Sequence, residues 1–265
     1  MEGRGKRLEV VYEDQWIVVI SKPSGMLSVG YPGYRGKSAQ DVLSQMFKSK
    51  GKRQITAVHR LDKDTSGIMI FALSAAVSER FMNDWQDIVS ERIYRCVCER
   101  VKGRDDLEDA ATIDLPIAYN RQHVGFVPSG KEPKLLKAAE RAVTRYKVLA
   151  RGERYDLLEC ELETGRKNQI RIHLAHLGHP IVGDEVYGLQ KAPPSGLSRL
   201  ALHARVIAFR HPFTADLLRF EKSEPAEFLS VTMKAKAPRP IRNRESASCP
   251  LAARSNLRRP GKKKR

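Results

Sequence analysis

Two polar stretches hold the side chains best suited to act on a substrate. The first is His59-Arg60-Leu61-Asp62-Lys63-Asp64-Thr65-Ser66-Gly67, directly before the apolar run 68–73. It sets two carboxylates among a histidine, an arginine and a lysine. Asp64-Thr65-Ser66-Gly67 is good turn chemistry on its own, and Asp62 between Arg60 and Lys63 also reads as a surface ion pair. A dense polar loop entering a buried strand is, however, where catalytic and binding groups are commonly held. The second stretch, residues 164–173, packs Arg166, Lys167, Arg171 and His173 with Asn168 and Gln169 around a helix start. Backbone N–H groups at such a start favour an anion; a solvated basic helix end is the bland alternative.

Two other patterns lead elsewhere. Gly30 to Ser38 resembles a phosphate-cradling loop, but the spacing G-x-x-x-x-G-K-[ST] puts Tyr31 where the first glycine belongs. Nucleotide hydrolysis is therefore not expected. His173, His176 and His179 are spaced i, i+3, whereas helical metal pairs usually sit at i, i+4, and His179 lies past the helix-ending Gly178. No metal is expected.

The elements that must position these groups read as one mixed body over residues 8–233. Residues 16–21 (WIVVIS) and 68–73 (IMIFAL) are short buried strands. Ser38 and Asp41 form a capping-box pattern that starts a helix. Val77, Phe81, Trp85 and Ile88 recur at helical spacing, predicting one helix over 74–90. Residues 92–99 alternate with Tyr94, Cys96 and Cys98 on one face, and 154–164 alternate with Leu158, Cys160 and Leu162 inward. A helix is expected over 168–177, ended by Gly178 and Pro180, and strands over 200–209 and 228–233. Residues 102–140 read as a loop-rich insertion, a candidate substrate-contacting arm. Strands outnumber helices and often alternate, so the expected class is α+β with a largely antiparallel sheet and flanking helices.

Composition narrows the partners. The 265 residues carry a net charge of +17, and 12 of the 48 Lys and Arg fall in residues 234–265 against one acid, Glu245. A basic body with a more basic tail implies a polyanion, nucleic acid first. Apolar periodicity is lost beyond about residue 235, so 236–265 is expected to be a disordered tail on a body spanning 1–235. No apolar run approaches the roughly 18 residues of a membrane span, and residues 1–7 carry charge with no apolar stretch behind them. Four cysteines without framework spacing suggest reduced thiols in a cytoplasmic protein. No groove-reading helical motif of a DNA regulator is found.

The stretch HRLDKDTSG resembles the catalytic motif of RluA-type RNA pseudouridine synthases. The resemblance spans most of the body and keeps the family's order. Tyr12-Glu13-Asp14 with Ser21-Lys22-Pro23-Ser24-Gly25-Met26 is similar to the family's opening, and Glu91-Arg92-Ile93-Tyr94 to its tyrosine motif. Residues 165–173 resemble its arginine motif, although Lys167-Asn168 stand where the commoner wording is Thr-His. Gly178-His179-Pro180-Ile181-Val182-Gly183-Asp184 resembles the segment that follows, and Leu200-Ala201-Leu202-His203-Ala204 with His211-Pro212 its closing strand. No room precedes Leu8 for the small N-terminal domain of longer members, so the short form is expected.

The resemblance implies the pseudouridine synthase fold and isomerisation of uridine to pseudouridine in transfer or ribosomal RNA, without cofactor or metal, by a protein expected to be a monomer. It puts the essential carboxylate at Asp62, with Arg171 as its counter-ion and Tyr94 stacked on the uracil and helping to remove the C5 proton. Ile170 and Leu202 would wall the pocket. His59 and Arg60 would fill the space left by the extruded base or grip phosphate, and Arg166 and Lys167 would contact RNA. The competing reading is a non-catalytic RNA-binding or ribosome-assembly protein on the same scaffold, which would have no need of Asp62, Tyr94 and Arg171 together.

Overall fold

The computed structural model describes residues 8–48, 51, 54–129, 133–189 and 196–233. The expected tail, 236–265, lies outside the described residues. In chain order the elements are β1 (Glu9–Glu13), β2 (Ile17–Lys22), α1 (Ala39–Phe47), β3 (Thr56–Ala57), β4 (Ser66–Ala72), α2 (Ala75–Asn83), α3 (Trp85–Ile88) and β5 (Val89–Glu99). There follow β6 (Ala110–Asp114), β7 (Ala118–Tyr119), β8 (Gly125–Phe126), α4 (Pro133–Ala138), β9 (Val143–Arg151) and β10 (Tyr155–Leu162). The last are α5 (Gln169–His176), β11 (Leu202–Arg210), β12 (Leu217–Glu221) and α6 (Ala226–Met233).

One sheet runs β1-β2-β4-β11-β5-β10-β9-β6, with β12 beside β11 and β3 beside β4. Every pairing in it is antiparallel except β4 with β11, where His203 and Ala204 face Ser66 and Gly67. The α+β class with a largely antiparallel sheet is therefore what the chain adopts. β2 and β4 are continuous apolar runs because both their faces are covered. Val18, Ile20, Met69 and Phe71 pack toward Leu43 and Phe47 of α1. Ile17, Val19, Ile68 and Ile70 pack toward Val77 and Phe81 of α2. A separate cluster joins β5 and β10 to Ile170 and Leu174 of α5 and to Phe228 and Val231 of α6.

The capping box forms as its residues predict: the Ser38 hydroxyl accepts from Asp41 N at 3.2 Å and Asp41 Oδ2 accepts from Ser38 N at 2.9 Å. Three expectations are corrected. The single helix over 74–90 divides at Asp84 (φ −105°, ψ 14°), and Val89 and Ser90 already belong to β5, where Val89 pairs with Phe209. Sheet pairing by a β-branched residue outweighs the helical period there. Residues 228–233 are helical, not a strand: Phe228, Val231 and Thr232 are buried at i, i+3 and i+4, and Phe228 N bonds to Pro225 O at 3.0 Å. A six-residue apolar run does not by itself distinguish the two. In β5 the alternation ends at Tyr94, because Cys96, Val97, Cys98 and Glu99 are all buried in the interior of the sheet. The segment 102–140 carries β6, which pairs with β9 in the main sheet, as well as the β7–β8 hairpin and α4.

Candidate active site

Asp62 lies in the loop between β3 and β4, and the turn after β2 fixes that loop from one side. Ser28 Oγ donates to Leu61 O at 2.6 Å and accepts from Leu61 N at 3.0 Å. Gly25 N bonds to Lys63 O at 2.9 Å, and Ser24 Oγ to Asp64 O at 2.8 Å. The fully buried Lys22 ammonium donates to Pro23 O, Met26 O and Lys63 O at 3.1, 2.7 and 3.1 Å. The backbone on both sides of Asp62 is thus held while its carboxylate stays 30% exposed. From the other side, β11 grips the end of the loop. Gly67 has φ +120°, and a Cβ there would stand 2.7 Å from both N and C of Ala204, so only glycine fits this approach.

Arg171 enters from the first turn of α5. Its Nε and Nη2 donate to Asp184 at 2.7 and 2.8 Å, its Nη1 to Asn168 Oδ1 at 2.8 Å, and Nη1 stands 3.6 Å from Asp62 Oδ2. The expected Asp62–Arg171 pair is present, but the closer partner is Asp184. That carboxylate is buried and also accepts from Val186 N and Tyr187 N at 2.9 and 3.0 Å. Burial pushes the Asp184 carboxyl upward, yet Arg171 and these amides outweigh it, and its pKa lies below the ordinary value. Asn168 caps α5 in the left-handed region (φ 57°, ψ 21°), a conformation asparagine tolerates better than most side chains. Asp184 and Asn168 together aim the guanidinium at Asp62.

These groups line a cleft of about 1600 Å³, larger than a typical small-molecule pocket and suited to a polymer segment. Seven Lys and Arg line it against four Asp and Glu. Tyr94 on β5, Ile170 on α5 and Leu202 on β11 all face it, the last two buried. Arg60 is exposed at its edge. Arg166 also lines it, paired with Glu140 and donating to Arg141 O at 3.0 Å. Lys167 lies nearby, its Nζ 3.4 Å from His123 O. His59 accepts from Ile70 N through Nε2 at 3.1 Å and packs on Trp85. Burial, aided by Arg92, drives its pKa down to about 3, which favours the neutral ring.

Electrostatics separate the two central groups. Burial raises the Asp62 carboxyl above the ordinary value, while Arg171, Lys22 and Lys167 pull it partly back. Burial pushes Tyr94 up to about 12, with the Asp62 charge adding to the rise and Arg92 opposing it. His173 and His179 are structural: His173 bonds Thr144 Oγ1 and Leu115 O, and His179 bonds Glu99 O and Asp105 O. Among the described residues no three His, Cys, Asp or Glu side chains are grouped to hold a metal.

Lys22, Ser28, Arg92, Asp184 and Arg199 are site residues that motif reading did not single out. Lys22, Arg92 and Asp184 sit inside the motifs themselves. The signal available for Asp184 was an acidic pair, Asp184-Glu185, after the apolar Ile181-Val182 and past the arginine helix.

The chain is similar to known proteins over most of its length. Residues 16–176 match the family described as RNA pseudouridylate synthase. The chain is 31% identical over 247 residues to the ribosomal large subunit pseudouridine synthase D of Pasteurella multocida (strain Pm70), covering 87% of this chain and 71% of that one. It is 34% identical over 228 residues to the tRNA pseudouridine synthase C of Vibrio cholerae serotype O1 (strain ATCC 39315 / El Tor Inaba N16961), covering 80% and 88%. The solved structure of human RNA pseudouridylate synthase domain containing 1 superposes with a TM-score of 0.66 at 21% identity, over 85% of this chain and 86% of that one. That likeness bears on the fold alone.

Proposed function

Because the chain belongs to the RNA pseudouridylate synthase family and is an isomerase of uridine in RNA, we propose that it works through Asp62 on a uridine extruded from transfer or ribosomal RNA. The observation that carries this reading is the constellation in the cleft. Asp62 is held by its own backbone on both sides, faces an arginine already oriented by Asp184, and lies within the electrostatic reach of Tyr94.

The reaction breaks N1–C1′ and forms C5–C1′; a proton leaves C5 and one is taken up at N1. It consumes no oxidant and no energy carrier. Asp62 is the nucleophile in this reading, and its ionised form is the working one. Arg171 holds that charge against the cost of burial. Tyr94 offers a ring face to the detached uracil and a hydroxyl for the proton leaving C5. A base within a stacked helix does not reach a carboxylate at the floor of a cleft, so the target nucleotide turns out of its stack. Ile170 and Leu202 form apolar walls for it. The relatives named for large-subunit ribosomal and transfer RNA support that substrate class. A cytoplasmic setting keeps thiols reduced and fits Cys96, Cys98 and Cys160, which are free and buried among the described residues.

Asp62→Asn tests the reading. The amide keeps the shape and removes the charge, so release of the C5 hydrogen from labelled uridine in RNA should vanish while RNA binding and thermal unfolding stay near wild type. Turnover by the Asn variant at a rate near wild type would remove Asp62 from the role of nucleophile.

A further inference from the structure

Arg199 precedes β11 and lines the cleft, yet its surroundings differ from those of its neighbours there. Arg171 is paired with Asp184 and Arg166 with Glu140. Arg199 has no carboxylate within 4 Å among the described residues. Its Nε donates to Leu200 O at 3.1 Å, and its Nη2 donates to Leu202 O and Ser66 Oγ at 3.0 and 2.6 Å. Nη1 has no hydrogen-bond partner among the described residues. Phe228 lies under the group at 5.7 Å, and Asp64 and Glu227 act only at longer range. Partial burial lowers its pKa, against the longer-range pull of Glu227 and Asp64.

The group is held in place by a directional relay. His203 Nε2 stands 3.0 Å from Lys222 O, and a carbonyl only accepts, so Nε2 carries the proton. The ring is neutral, since burial lowers its pKa to about 4. Its Nδ1 is therefore an acceptor, and the Ser66 hydroxyl at 2.6 Å donates to it. That leaves the Ser66 oxygen lone pairs for Arg199. Ser66 is four residues beyond Asp62, so the same relay joins this arginine to the end of the catalytic loop. A partly buried guanidinium with two of its three nitrogens committed to neutral acceptors is prepared for an anion. The anion that a uridine-bearing polymer brings into the cleft is its phosphodiester.

We propose that Arg199, oriented by Ser66 and His203, binds a backbone phosphate of the RNA beside the extruded uridine and supplies part of the substrate affinity of the site. The inference rests on the functional reading above and adds a specific interaction to it.

The test measures affinity of the full chain for unfractionated transfer RNA against KCl concentration. Turnover and thermal unfolding are followed in parallel. Arg199→Gln keeps donor groups and loses the charge; its plot of log affinity against log salt should be shallower by about 0.7–0.9, the share of one neutralised phosphate. Arg199→Lys keeps a charge and should retain the wild-type slope. Arg80→Gln, on α2 and paired with Asp84 at 2.7 Å, should also retain it. The proposal is overturned if the Gln variant keeps the wild-type slope, if the Lys variant loses as much slope as the Gln variant, or if Arg80→Gln produces the same loss. A wild type that binds RNA but never isomerises uridine would sink the functional reading, and the slope comparison would still decide the role of Arg199.

Discussion

The charge on Asp62 is set by a contest between burial and three neighbouring cations, and burial wins by direction: the carboxyl is raised above its ordinary value. A raised carboxyl pKa means that the ionised form is lost at a higher pH as the solution is acidified. If the ionised form is the working one, the acid limb of kcat/KM should lie above the ordinary aspartate value of about 3.9. Arg171→Gln removes the strongest opposing influence, so its limb should move to still higher pH, with kcat/KM down roughly 10²-fold or more at neutral pH. A pH profile with no acid limb above pH 4 in the wild type, or with no displacement in the variant, would contradict this account. Tyr94 stands at the other extreme. Its hydroxyl, pushed up to about 12, is protonated at any working pH, so it takes a proton from C5 only by passing its own onward. Tyr94→Phe keeps the stacking face and breaks that relay. Single-turnover rates should fall by roughly 10²-fold while RNA affinity barely changes; an equal loss in affinity with an unchanged chemical step would rule the relay out. Asp62, Tyr94 and Arg171 are legible as candidates because their motifs are local in sequence. Asp184 and Arg199 are not, because what defines them is spatial: a bidentate pair across 13 residues and a hydroxyl hydrogen bond across 133.

At the scale of elements, the fold was legible wherever local chemistry and tertiary packing agree. The Ser38–Asp41 capping box starts α1 because its two reciprocal bonds are local, and α5 ends at Gly178, which takes φ +87°. Reading failed where a neighbour overrides local preference, as at Val89, recruited by Phe209 of β11, and at residues 228–233, which coil so that Phe228 and Val231 reach the β5–β10 cluster. The parallel pairing of β4 with β11 belongs to this class. It holds the Asp62 loop from behind, and Gly67 is its closest point. Gly67→Ala combines a left-handed φ with a clash against Ala204 backbone and should cost at least about 2 kcal/mol in chemical denaturation. Gly33→Ala is the matched comparison, since Gly33 has φ +90° with nothing within 4 Å of the added Cβ. It carries only the conformational penalty of about 1–2 kcal/mol. If the two cost the same, the β4–β11 approach is not the constraint at Gly67. Activity should follow stability at Gly67 alone, because only there does the backbone shift reach Asp62.

The whole molecule is basic, at +17, and the charge is divided between residues 1–235, at +7, and the C-terminal segment, at +10. Residues 236–265 hold 11 Lys and Arg against the single acid Glu245. Their proposed role is to bind phosphate outside the cleft. Such binding is sequence-independent and strongly dependent on salt. The cleft is proposed instead to select the nucleotide, through Asp62, Tyr94 and the apolar walls. The two contributions separate in one experiment, a truncation after Ala235 compared with the full chain. Deleting the segment should weaken RNA binding at low salt. It should also flatten the slope of log affinity against log salt by about 0.7–0.9 for each phosphate the segment neutralises. The gap in affinity between the two proteins should therefore close as salt rises. The uridine modified should stay the same, since charge that touches no base adds affinity at every position alike. The competing account is a solubility segment that touches nothing, for which both proteins give one slope. Mapping pseudouridines in RNA treated with each protein completes the test: a shifted position would mean that the segment reads sequence or shape, and that selection does not belong to the cleft alone.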